Sequence, residues 1–329
     1  MALDLVGLPK AELHLHIEGT LEPETVLELA EKNAVALPFA DEEALRAAYS
    51  FANLQEFLDL YYAATATVVS AEDFHLMASR YYERAAAQGV RHAEIFLDPQ
   101  AHLRRGVPYE AMLAGVSAAV DEARTQHGIT GGIIACILRD RPIVEAMETY
   151  ELLRADRRII GIGLDSAEKP YPPGLFAEIW RRAKADGLHL VAHAGEEGPA
   201  SYVTAALDLL GVERIDHGIR AVDDPALLAR LAASRTPLTV CPLSNVALKA
   251  VPDLAHHPLP RLLEAGVVAT VNSDDPAYFG GYVADNFAAL RVAGMSDAQA
   301  LTLARNSVVG SFADEARKAE LLAEIEAFA

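Results

Sequence analysis

Two histidines two positions apart, His14 and His16, sit in the apolar run AELHLHI (11–17), directly before Glu18 and Gly19. On a strand, residues i and i+2 face the same side, so both imidazoles enter one space. Two neutral imidazoles satisfy one another poorly, whereas a divalent cation satisfies both. A hydrogen-bonded core pair is the competing reading, and the spacing alone does not exclude it. Two further donors weigh against it: His193 closes the run in LHLVAHAGE (188–196), and Asp274 falls near the end of GVVATVNSDDP (266–276). Three imidazole nitrogens and one carboxylate suit Zn²⁺, with Fe²⁺ or Co²⁺ as alternatives. Such a metal lowers the pKa of its water to about 7 and supplies hydroxide at neutral pH. Glu196, three residues past His193, reaches that water or a substrate without being a ligand. His217, in RIDHG (214–218), and Asp275 stand at similar strand ends, with no role that spacing alone assigns.

Residues this far apart converge only if the fold brings strand ends together. Eight β-like runs recur, at 11–17, 90–99, 131–139, 159–166, 188–196, 214–218, 237–242 and 266–276. Most are continuous apolar stretches, as expected of parallel strands covered on both faces. The segments between carry helix signals, such as Asp224-Pro225 opening DPALLARLAAS and the prolines before GLFAEIWRRAKADG, which ends at Gly187. The pattern predicts an α/β fold, a (β/α)8 TIM barrel, whose chemistry sits at the C-terminal strand ends. A doubly wound sheet competes, but no glycine-rich phosphate loop follows the first strand. The long segment 18–89 reads as helical insertions over the C-terminal mouth, with 50–70 as a lid. No linker or repeat divides 1–329, so a single hydrolase barrel domain is expected.

The 329 residues are 52% hydrophobic and 23% charged, enough apolar material for a large core. A net charge of −19 repels a nucleic-acid backbone, and the basic pairs Arg104-Arg105 and Arg181-Arg182 read as solvated helix ends. The two cysteines, Cys136 and Cys241, lie in apolar runs without a C-x-x-C partner, as fits a reducing cytoplasm. The start MALDLVGLPK is unlike a signal peptide, and no run spans a membrane. The expected partner is a small molecule. Trp180 and the tyrosines read as core, and oligomeric state is left open.

HLHIEGT, VAHAGE, RIDHG, CPLSN and NSDDP follow the order and spacing of the adenosine/adenine deaminase family of amidohydrolases. The chain resembles that family from about residue 8 to beyond 310. The resemblance implies one Zn²⁺ on His14, His16, His193 and Asp274, and hydrolytic loss of ammonia from a 6-aminopurine. Glu196 matches the acid that protonates purine N1, a role open to a carboxyl kept protonated in a closed site. His217 matches the residue that orients the attacking water and stabilises charge, and Asp275 the one that binds that water and purine N7. The other zinc deaminase signature, H-x-E with P-C-x-x-C, is absent.

Family members acting on adenosine commonly read H-L-D-G on strand one and D-L-A-G at strand four. Here the segments are HIEG and DSAE, so Glu18 replaces an aspartate and Glu168 a glycine. Both are bulkier and intrude where ribose would sit. Free adenine carries a ring N–H that adenosine lacks, and a carboxylate such as Glu168 accepts from it. LDSAEKPYPP also looks like the adenine-specific branch, with Ser166, Ala167 and Glu168 either that branch's own pattern or a serine–glutamate pair interrupted by alanine. Glu18, Ser166, Glu168 and Asp275 are therefore the expected substrate contacts. Adenine is the expected substrate and hypoxanthine the product, as in purine salvage, with adenosine or another 6-aminopurine as the alternative. A silent purine-binding barrel would be free to lose Glu196 or a ligand, yet every position is filled.

Overall fold

The structure is a computed structural model that describes residues 3–51 and 54–329. Eight strands run in chain order: β1 (Lys10–Glu12), β2 (Val90–Leu97), β3 (Thr130–Leu138), β4 (Ile159–Asp165), β5 (His189–Ala194), β6 (Arg214–His217), β7 (Leu238–Val240) and β8 (Ala269–Val271). Their order in the sheet is also β1 to β8, and every neighbouring pair is parallel. Right-handed crossovers through helices give a barrel of this order, as the alternation of runs predicts.

The first strand is shorter than expected. Regular pairing ends at Glu12, and His14 and His16 lie beyond it in an extended segment. Leu13 N–H donates instead to the side-chain Oδ1 of Asn272 at 2.8 Å, so an amide replaces a ladder partner. Pairing resumes as isolated bridges of Leu15 to Asp274 and His16 to Phe96. His16 N–H donates to Asp274 O at 2.9 Å and Asp274 N–H to His14 O at 3.1 Å, closing the barrel at the residues with metal-ligand chemistry. β4 and β5 pair only at Gly161–His189 and Ile162–Leu190, and the gap above is bridged by the His193 side chain.

Inside the barrel Phe96, Ile134, Cys136 and Val191 form a small apolar cluster, and both cysteines are free and buried. Below it the buried Arg214 guanidinium pairs with Glu94 and donates to Leu13 O at 3.1 Å. Losing one partner of so dry a pair would strand a charge, so the pair favours one packing of the barrel floor.

The segment 18–89 divides in two. Helices α1 (Pro23–Lys32), α2 (Glu42–Ala48) and α3 (Leu54–Thr65) precede α4 (Ala71–Ala87). α3 brings Phe57, Tyr61 and Tyr62 to the mouth, as the lid reading expects; residues 52 and 53 of that segment lie outside the described residues. α4 does not cover the mouth. It opens on a Ser70–Asp73 capping box and packs along the helix Tyr109–His127 as part of the outer ring. Gly115 permits the close crossing, since a Cβ there would fall 2.2 Å from Ala71 O. Among the described residues no helix is long and apolar enough to cross a membrane.

Candidate active site

His14, His16, His193 and Asp274 are buried, and one donor atom from each lies within 4.8 Å of the others. His14 Nε2 is 3.1 Å from Asp274 Oδ1, His16 Nε2 is 3.3 Å from His193 Nε2, and His16 Nε2 is 3.6 Å from Asp274 Oδ1. Tetrahedral donors about 2.05 Å from one centre stand roughly 3.3 Å apart, so the spacing suits a first-row divalent ion.

The hydrogen bonds behind the rings fix their tautomers. Thr239 Oγ1 donates to Asp216 Oδ1 at 2.9 Å, which leaves it to accept from His14 Nδ1–H, also at 2.9 Å. Burial pushes the Asp216 pKa up to about 6, so this carboxylate is still ionised at neutral pH. His193 Nδ1–H donates to Leu164 O at 3.1 Å. His16 Nδ1 faces Asp165 at 3.7 Å and Asp98 at 3.9 Å. His14 and His193 therefore turn bare Nε2 lone pairs toward one point, and His16 Nε2 faces the same point. Burial disfavours the charged form of His16, but Asp98, Asp275 and Asp274 outweigh it and raise its pKa well above the ordinary value, so a metal binds there by displacing a proton. Burial lowers the His14 pKa to about 3 and carries His193 well below its ordinary value, so both stay available as ligands. Burial opposes ionisation of Asp274, but His14, His217 and His16 outweigh it and hold its carboxyl well below the usual range. Ser244 Oγ donates to Asp274 Oδ2 at 2.5 Å. These residues fit a divalent metal.

Glu196, His217 and Asp275 surround the same point. Glu196 Oε1 accepts from Asn245 Nδ2 at 3.0 Å and its Oε2 lies 3.5 Å from His217 Nε2. Burial, then the charges of Asp274, Glu168 and Glu197, push the Glu196 carboxyl well up, which favours its protonated form. Asp275 is raised by burial against the opposing charge of His16, with Asp274 and Asp98 adding to the rise. Gly19 explains how Asp275 fits, because a Cβ at Gly19 would lie 2.2 Å from Asp275 Oδ1 and 2.6 Å from its Cα. His217, Asp274 and Ser166 have φ of 60°, 65° and 66°, a left-handed conformation costing a non-glycine residue about 1–2 kcal/mol.

The mouth encloses a cavity of about 180 Å³, walled by His16, Tyr61, Ser166, Glu168, Glu196 and Asp275 among others. Ser166 and Glu168 stand where the sequence expects, yet Glu168 is already engaged: its Oε1 and Oε2 accept from Glu196 N–H at 2.8 Å and Gly195 N–H at 3.0 Å. Glu18 departs from expectation. It does not line the cavity but lies behind the wall, its Oε1 accepting from Asp98 N–H at 3.1 Å and His102 Nε2–H at 2.9 Å. A side chain within a tight 3-10 turn (Ile17–Thr20) rotates away from the face of the preceding strand, which alternation does not foresee. Sequence reasoning also missed Asp98, Asp165, Ser244 and Asn245. Asp98 and Asp165 stand at the ends of β2 and β4, and Ser244 and Asn245 in the helix Pro242–Ala247 after β7, where the strand-end rule points.

The family model described as adenosine deaminase matches residues 9–328. The chain is 56% identical over 328 residues to the adenine deaminase of Streptomyces coelicolor, covering 98% of this chain and 96% of that one. The crystal structure of adenine deaminase from Arthrobacter aurescens superposes with a TM-score of 0.95 at 54% identity, covering 97% and 98% of the two chains. A zinc-bound amidohydrolase from Burkholderia ambifaria gives 0.90 at 30%, covering 98% and 92%. With the barrel, the four-donor cluster and a match over nearly its whole length, the chain belongs to the adenosine deaminase family.

Proposed function

We propose that the chain, acting as one catalytic unit, is a zinc-dependent adenine deaminase that hydrolyses adenine to hypoxanthine and ammonia. The observation that carries this is the convergence of three imidazole nitrogens and Asp274 beside Glu196, whose carboxyl is pushed up by burial. High identity to relatives named adenine deaminase supports adenine as the substrate. The zinc of the Burkholderia neighbour and the donor spacing support Zn²⁺ as the ion, and two buried free thiols suit a cytoplasmic setting.

When bound, zinc on His14, His16, His193 and Asp274 supplies a hydrolytic nucleophile at neutral pH and Lewis acidity. The protein's own groups do the rest. Glu196, protonated by its burial, donates to purine N1, which withdraws electrons from C6. Asp275, likewise kept protonated, donates to the lone pair on N7. His217 lies on the far side of Glu196 Oε2, where a ring N–H stabilises charge developing on the oxygen added at C6. Glu168 selects the free base by filling the wall where a ribose would pass and by fixing the Glu196 loop through two backbone bonds. Glu18 acts from behind, holding Asp98 and His102 in place. Measuring kcat/KM for adenine and adenosine on zinc-loaded protein tests the reading: adenine is expected to be preferred, activity to vanish on chelation, and a preference for adenosine refutes it.

A further inference from the structure

His217 has the same partners in reach as the ligands, since its ring lies 4.6 Å from that of His14 and 5.1 Å from that of His193. What separates it from them is the group behind it. Leu259 N–H, which only donates, points at His257 Nδ1 at 3.1 Å, so that nitrogen carries a lone pair. His257 Nε2 therefore bears the hydrogen and donates to Asn245 Oδ1 at 3.2 Å. With its oxygen so held, the Asn245 amide must turn Nδ2 toward Glu196 Oε1 at 3.0 Å and His217 Nδ1 at 3.3 Å. His217 Nδ1 is then an acceptor and its hydrogen lies on Nε2, the reverse of the tautomer at His14 and His193. His257 and Asn245 are both buried.

We propose that His257 is a positioning residue which, through Asn245, locks His217 as the Nε2–H tautomer, making it a hydrogen-bond donor to the reacting oxygen and denying it to the metal as a fourth imidazole. The same amide donates to Glu196 Oε1, leaving Oε2 as the oxygen that carries the acid proton. Four bonds thus transmit the fixed polarity of one backbone N–H into the site. Without the His257 donor the Asn245 amide is free to rotate, which presents an oxygen to His217 Nδ1, moves the hydrogen there and leaves Nε2 bare.

The test compares two amides of similar size. His257→Gln places a donor where Nε2 stands, whereas the amide of His257→Asn reaches only the Nδ1 position. Nitrogen-15 spectra of histidine-labelled, zinc-loaded protein read the tautomers directly, with His217→Gln identifying the signal. The expected result is a bare Nδ1 and protonated Nε2 on His217 in wild type and His257→Gln, lost in His257→Asn. The kinetic arm rests on the proposed deamination: kcat for adenine falls about 10- to 100-fold in His257→Asn with KM little changed, and His257→Gln retains it. A bare Nε2 on His217 in wild type overturns the inference without any variant, even if His257→Asn fails to fold. An unchanged tautomer in His257→Asn, or equal kcat in the two variants, also overturns it. The spectra need no substrate, so a wrong substrate assignment leaves the tautomer pattern intact.

Discussion

Gly19→Ala tests how closely the first and last motifs of the chain are fitted together. An added Cβ would sit 2.2 Å from Asp275 Oδ1, 2.6 Å from its Cα and 2.7 Å from its Cβ. Carbon atoms rest about 3.5–4.0 Å apart, so one side must retreat by roughly 1 Å. Rotating the Asp275 carboxylate does not relieve the clash, because the Cα itself is in contact. Gly19 lies in the 3-10 turn after His16 and is buried, so its own backbone has little room to give. The displacement falls on the group proposed to hold purine N7, where an error of about 1 Å costs on the order of 100-fold in rate. Overpacking at this site also costs about 1–3 kcal/mol of stability. Ammonia release from adenine, measured on protein of verified metal content, reads the first effect, and urea unfolding reads the second. The expectation is a fall in kcat/KM of about 100-fold in protein that remains folded at 25 °C. If stability drops while kcat/KM stays within about threefold of wild type, the inference that the clash displaces a group holding purine N7 is refuted.

Other perturbations address other groups. Ser244→Ala removes the 2.5 Å bond to Asp274 Oδ2 and should weaken metal binding about 10- to 100-fold in competition with a chromophoric chelator; unchanged affinity would show that Asp274 is oriented without it. Glu168→Gln sets an amide N–H against the N–H of Gly195 or Glu196, forfeiting a charge-assisted bond worth about 1.5–3 kcal/mol. Urea midpoints should fall and kcat with them, whereas full stability would leave Glu168 free for direct ligand contact. His257 is held neutral by burial and the nearby His217, its pKa lowered from 6.5 to about 4. The unfolded chain binds this proton below 6.5 and the folded chain only near 4, so the associated stability is present above 6.5 and lost as pH falls toward 4. Between pH 7.5 and 5 wild type should lose about 2 kcal/mol more than His257→Gln, and equal losses by denaturant titration would contradict the buried, neutral ring.

Much of the architecture was legible because parallel strands covered on both faces must be apolar, and most of the eight runs are. The four-donor cluster was legible for a related reason, since polar residues closing such runs have only the mouth of a barrel to occupy. Four features escaped. The sequence AELHLHI reads as one strand because nothing in its alternation reveals that Asn272, more than two hundred residues away, substitutes for a ladder partner at Leu13. Nor does periodicity distinguish α4, an outer-ring helix, from α3, which supplies the mouth, for both are amphipathic. Glu18 was read from its type as a group facing the ligand, but a turn directs its side chain behind the wall. The link from Leu259 to His217 runs from one backbone N–H through two side chains, so no spacing rule could have found it.

The closure of the barrel also has an order in time. His14 meets Asp274 across 260 residues of chain, and the backbone bonds between 14–16 and 274 complete the ring. At about 5–20 residues per second of synthesis, the first two histidines emerge roughly ten to fifty seconds before their carboxylate partner exists. Until then they form an exposed pair able to take up a loosely held ion. On the proposed ligand set, binding at full strength waits for β8, and a chain cut short before it would carry most of the barrel without Asp274.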